Sequence, residues 1–178
     1  MQSKTFSETI ATLAVEAKTD PAAFSRLYDH YVQPIYRYIY SRVGTVHETE
    51  DITSQTFIAA YESLGRYRER CQFSALLFRI ARSKMNDHFR RSRREVGLEA
   101  AGEIIEREDA LGVLIRAEEL SRIRSLIRHL NEDEQELIRL RYVADLSFGE
   151  MAELLGARED AVKKSVYRLL ARLKSQIE

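Results

Sequence analysis

Apolar residues recur at three- and four-residue intervals along most of this chain, the period of helices buried on one face. Ile10, Leu13, Ala14 and Ala17 give a first short helix. Asp20 followed by Pro21 has the form of an N-cap with proline in the first helical position, and Phe24, Leu27, Tyr28, Tyr31, Ile35 and Ile39 extend one stripe from it. Pro34 is expected to kink or split that helix. Tyr28, Tyr31, Tyr36, Tyr38 and Tyr40 fall at helical spacing and are read as core rather than as base-stacking platforms. A turn from Gly44 to His47 leads into a helix with Ile52, Thr56, Phe57, Ala60 and Leu64 inward. Its first turn is expected to hold Glu48, Glu50 and Asp51, where carboxylates complement the helix dipole.

The next stripe is Phe73, Leu76, Leu77, Ile80, Ala81, Met85, His88 and Phe89. Phe73 and Phe78 flank Ser74 as a hydrophobic staple flanks an N-cap, which predicts a helix starting at Ser74 and a loop from Gly65 to Gln72. Between Glu95 and Glu119 the pattern dissolves into eight acids, two arginines and three glycines, the composition of a linker and a domain boundary. Leu120, Ile123, Leu126, Ile127 and Leu130 resume the helical period. Asn131 with Glu134, and Ser147 with Glu150, have capping-box spacing, so helices are expected from about Glu132 and Phe148. In the last segment, a short helix through Met151 and Leu155, a turn at Gly156, and a helix with Val162, Val166, Leu169, Leu170 and Leu173 inward make a helix-turn-helix pattern. Lys164, Arg168, Tyr167, Asp160 and Ala161 face away from the valines, flanked by Arg158, Lys163 and Ser165.

The expected fold class is therefore all-α, two small helical domains joined by an acidic linker: an N-terminal extension at 1–19, a first domain at 20–95, the linker at 96–117 and a second domain at 118–178. Charge then adds a surface. The chain has 28 basic and 28 acidic residues, yet Arg66–Arg94 holds ten Lys or Arg against two acids. Segregation of this kind in a neutral chain points to a polyanion-facing surface. The single cysteine, Cys71, excludes an internal disulfide and a cysteine-based metal cage within the chain. No His or carboxylate set has the spacing of a metal site or an acid–base pair, so neither cofactor nor catalytic residue is expected. No stretch reaches the length of a membrane span and the N-terminus lacks a signal-peptide core, which predicts a cytoplasmic protein.

From about residue 17 to residue 178 the sequence resembles the bacterial RNA polymerase sigma factors of the sigma-70 family, of the extracytoplasmic-function (ECF) type. DPAAFSRLYDHYVQPIYRYI resembles the first helix of region 2, ETEDITSQTFIAAYESLGRY the helix that binds the polymerase clamp, and FSALLFRIARSKMNDHFRR the segment that melts the promoter and reads the minus-10 element. LRYVADLSFGEMAELLGAREDAVKKSVYRLLARLK resembles region 4, which reads the minus-35 element. The resemblance implies polymerase contacts at Glu50, Asp51, Ile52 and Phe57. It implies minus-10 contacts at Arg66, Tyr67, Arg68, Arg82, Asp87, Arg90 and Arg91, with the loop from Gly65 to Gln72 accepting a flipped base. For the minus-35 element it implies Arg158, Lys163, Lys164, Ser165, Tyr167 and Arg168. Leu76 stands where the family commonly has tryptophan, and Ser83 at its usual following asparagine. In the recognition helix Arg158, Ala161 and Ser165 replace the usual serine, threonine and arginine. The implied partners are core RNA polymerase, promoter DNA and an anti-sigma factor, with no membrane insertion and no enzymatic activity. The alternative is a helix-turn-helix regulator that acts without polymerase, its N-terminal domain serving dimerisation or sensing.

Overall fold

Local signals in the sequence set most of the helix ends in the computed structural model, which describes residues 10–67, 72–96, 123 and 125–177. Arg68, Cys71 and most of the expected linker lie outside the described residues. The first helix, α1 (10–16), buries Ile10, Leu13 and Ala14. The Asp20 carboxylate accepts the Ala22 N–H at 2.9 Å and caps α2 (Pro21–Val43), whose other end closes on Gly44 at φ 81°. Glycine reaches that left-handed conformation without steric cost. Pro34 does not split α2, which runs through it as one helix.

Thr45 is the N-cap of α3 (Val46–Ser63), and its hydroxyl donates to Glu48. Glu48 is thus the acid of the first turn. Glu50 and Asp51, expected there, fall one turn later, because the helix starts two residues ahead of Glu48. A 3-10 turn (Leu64–Arg66) takes up the start of the expected loop. The fourth helix, α4 (Phe73–Val96), begins one residue earlier than expected and does not use Ser74 as its cap. Ser74 is instead buried and hydrogen-bonds with Tyr31. Helices α2, α3 and α4 pack on one another around Leu27, Ile35, Tyr38, Ile39, Phe73, Leu77, Phe78 and Met85, all fully buried.

A helical stretch, α5 (125–128), precedes α6 (Glu132–Ile138). The Asn131–Glu134 capping box is formed in full, and so is Ser147–Glu150 at the head of α7 (Phe148–Leu155). A π-helical turn (Arg139–Val143) follows α6. Gly156, at φ 65°, turns the chain into α8 (Glu159–Ile177). Leu140, Leu146, Met151, Val162 and Val166 then join the same hydrophobic cluster as the α2–α4 core. Leu130, Ile138 and Leu169 form a second, smaller cluster beneath α8. Among the described residues the two expected halves are thus in contact, through α4 with α7 and α2 with the π-helical turn.

Candidate nucleic-acid interface

In the C-terminal half, burial of Val162, Val166 and Leu169 fixes the rotation of α8, and Ala152 is buried where α7 crosses it. Lys163, Lys164, Ser165, Tyr167 and Arg168 are consequently all exposed on the opposite side. A packed helix holding such side chains outward has the form used for the major groove. Tyr167 is 54% exposed, with its ring 5.9 Å from that of Phe148. Arg158 is exposed at the turn, where its carbonyl accepts the N–H groups of Ala161 and Val162 at 3.0 and 3.1 Å. Arg172 is tied to α6 by a 2.6 Å ion pair with Glu134.

On α4 the exposed cations among the described residues are Arg79, Arg90, Arg91 and Arg93. Asp87 organises two of them: its carboxylate pairs with Arg90 at 2.8 Å, and its backbone carbonyl accepts from Arg91 Nε at 3.4 Å. Arg66 is exposed at the end of the 3-10 turn. Tyr67, expected to be offered to a base, is only 6% exposed. Its ring meets Phe73 edge-on at 6.0 Å, with Lys18 Nζ 5.9 Å from its centre. The reason is apolar burial: a phenol next to Phe73 gains more from the core than from water.

The four residues expected to face polymerase divide in the same way. Glu50 and Asp51 are exposed on α3, and Asp51 accepts from Gln55 Nε2 at 3.1 Å. Ile52 and Phe57 are core, and Phe57 packs edge-on against Tyr28 at 4.7 Å. Helical geometry forces this division, since Ile52 is about 100° around the helix from Asp51. The apolar side chains that α3 does expose are Val46, Ile58 and Tyr61, the last packed against Phe24 at 4.9 Å.

Glu136 was not singled out in the sequence, yet it gathers polar partners from two other helices. It is buried on α6, yet its partners lie on α2 and α4. The Tyr38 hydroxyl donates to Glu136 Oε1 at 2.6 Å. Arg82 Nε lies 3.5 Å from the same oxygen, and Arg42 is 3.6 Å from Oε2. Burial, and next the Glu136 charge, push the Tyr38 phenol far above its ordinary value of 10.0. Around this group lies a cleft of about 1080 Å³, lined by Arg42, Arg82, Arg90 and Arg93 from α2 and α4 and by Glu132, Asp133, Glu136 and Arg139 from α6 and the turn after it. Arg82, expected at DNA, is engaged here by protein. No local signal could have revealed the pairing, because Tyr38 and Glu136 are 98 residues apart.

Among the described residues the fold is helical throughout, with one cationic helix in each half. Residues 27–95 match the family described as Sigma-70 region 2, and residues 120–173 that described as Sigma-70, region 4. The chain is 37% identical over 160 residues to the ECF RNA polymerase sigma factor BldN of Streptomyces coelicolor, covering 85% of this chain and 59% of BldN. It is 31% identical to the ECF RNA polymerase sigma factor SigW of Bacillus subtilis, over 90% of this chain and 91% of SigW. The solved structure of CnrH in complex with the cytosolic domain of CnrY superposes with a TM-score of 0.66 at 26% identity, covering 94% of this chain and 96% of that one. RpoE of Bartonella quintana, solved in complex with the anti-sigma factor NepR, shares the fold with a TM-score of 0.64 at 19% identity, over 86% of this chain and 96% of that one. The chain belongs to the ECF family of RNA polymerase sigma factors. No helix among the described residues is long and apolar enough to cross a membrane.

Proposed function

We propose that this protein binds core RNA polymerase and directs it to promoters, acting in the cytoplasm and without enzymatic chemistry of its own. The observation that carries the reading is the presence of two separate, rigidly packed cationic faces, on α4 and α8, in a chain that matches both sigma-70 regions. In this reading Lys163, Lys164, Ser165, Tyr167 and Arg168, with Arg158 at the turn, meet the minus-35 duplex. Arg66, Arg82, Arg90 and Arg91, oriented in part by Asp87, meet the minus-10 element, where exposed bases and phosphates suit arginine. Arg68 belongs with this set by position, and Tyr67 supports it from beneath. The polymerase-facing surface is the outer face of α3, with Glu50, Asp51, Ile58 and Tyr61, while Ile52 and Phe57 hold that face in place.

Residues 20–95 and 118–178 act as the two functional domains, joined by the acidic segment at 96–117. An anti-sigma factor is included among the partners because sigma factors of this fold were solved with protein partners, CnrH with the cytosolic domain of CnrY and RpoE of Bartonella quintana with the anti-sigma factor NepR. A regulator that acts without polymerase would leave the region 2 match at residues 27–95 without a use. The test is run-off transcription by core polymerase with and without the protein. Promoter-dependent transcripts appear only on addition if the proposal holds, and their absence with every ECF-type promoter tried would overturn it.

A further inference from the structure

We propose that the second half of α2 and the first turns of α3 form a receptor for a basic side chain of the polymerase, built from the rings of Tyr36 and Tyr40 and the carboxylate of Glu50. The inference rests on the promoter-directing reading for its partner, and it adds α2 to a docking surface otherwise confined to α3.

Tyr36 and Tyr40, read as core from their spacing, are only half-buried, whereas Tyr38 between them is fully buried. Helical rotation accounts for this, since Tyr38 lies about 200° around α2 from each of them. Residues four apart share one face of a helix, and the two rings stack there, parallel to within 8° with their centres 6.1 Å apart. The short turn through Gly44 and Thr45 folds α3 back along α2. Glu50, exposed on α3, thereby comes within electrostatic reach of this pair. Burial first, then the Glu50 charge, then Tyr40 raise the Tyr36 phenol above its ordinary value of 10.0. Tyr36 is therefore a neutral ring beside a negative charge at any physiological pH.

The chemistry of the group selects its occupant. An aromatic face is electron-rich and attracts a cation laid on it, and a carboxylate at the side of the ring completes the pairing. Glu50 makes no ion pair among the described residues. Asp51, the next residue, is also exposed and adds a second negative charge to the same stretch. Arg37 projects about 100° around α2 from Tyr36, away from the pair. A phosphate backbone would meet two acids here and be repelled, so the face suits a basic protein segment and not nucleic acid. Stacked rings at i and i+4 would stabilise α2 by themselves, but that role gives no reason for an exposed acid beside them.

The test titrates the labelled full-length chain with core polymerase. Tyr36→Leu should weaken binding roughly three- to tenfold, the range for one cation held over an aromatic face, while Tyr36→Phe, which keeps the ring, should stay within about twofold of the parent. Glu50→Gln should weaken binding by a similar factor. Because both groups hold one cation, the double variant should lose clearly less than the product of the two factors. Glu62→Gln, an equal charge change on an exposed residue at the other end of α3, should combine with Tyr36→Leu as a simple product. If circular dichroism shows that Tyr36→Leu does not fold, Tyr36→Gln decides in its place. A parent that binds core together with a folded ring-deleted variant that binds equally well overturns the receptor and leaves the promoter-directing reading standing. Simple multiplication of the Tyr36 and Glu50 effects, or coupling of the same size with Glu62, overturns it as well. A parent that does not bind core overturns both.

Discussion

The backbone N–H of Gln72 donates to both carboxylate oxygens of Glu153, at 2.9 and 3.1 Å, across 81 residues of sequence. Gln72 is the residue before α4, so Glu153 serves in trans the role that the acid of a capping box serves within one helix. This is why Ser74 is free to turn inward toward Tyr31. Glu153→Ala should lower the stability of the whole chain by about 1 kcal/mol, the usual cost of losing a cap. Chemical denaturation measures it, and amide exchange at residues 72–76 should speed up in the same variant. Unaltered exchange there would mean that the contact contributes nothing to α4.

On α3, burial separates two kinds of variant. Asp51→Arg should reduce association with core polymerase in gel filtration and leave the unfolding transition unchanged, because Asp51 is exposed. Phe57→Ala should instead cost about 3–5 kcal/mol of stability, as a large core truncation does. Core binding that survives Asp51→Arg would remove α3 from the docking surface.

The two cationic faces should fail in different assays. Lys164→Ala or Arg168→Ala in the full-length chain should weaken minus-35 duplex binding by about 1–3 kcal/mol where the lost contact is a bidentate base contact. Arg90→Ala with Arg91→Ala should lower permanganate reactivity of promoter thymines in the holoenzyme and reduce the salt dependence of binding, since each phosphate contact releases counterions. Melting unaffected by the arginine pair, with duplex binding unaffected by the α8 pair, would contradict the division.

Alkaline pH should loosen the fold through two buried phenols. Burial raises the pKa of both Tyr31 and Tyr38 above the ordinary 10.0. The folded chain therefore keeps these protons where the unfolded chain releases them, and their stabilising contribution, complete below pH 10, is lost as pH rises beyond it. Thermal melts across pH 8 to about 11 should show this decline, with a shallower slope in Tyr38→Phe. An identical slope in that variant would remove Tyr38 as a source.

The sequence by itself determined what short-range chemistry decides. Asp20–Pro21, Asn131–Glu134, Ser147–Glu150 and Gly156 set helix ends through contacts within a few residues, and the valines of α8 set which side chains point outward. The inward stripe of α3 already held Ile52 and Phe57, but only the tertiary structure decided where Tyr67 goes, because burial of a side chain outside a regular stripe depends on which surface arrives from elsewhere. It alone brought Glu136 to Tyr38, Arg42 and Arg82, and Glu153 to Gln72. Those partners lie between 54 and 98 residues apart, and no helical period carries information over such a separation.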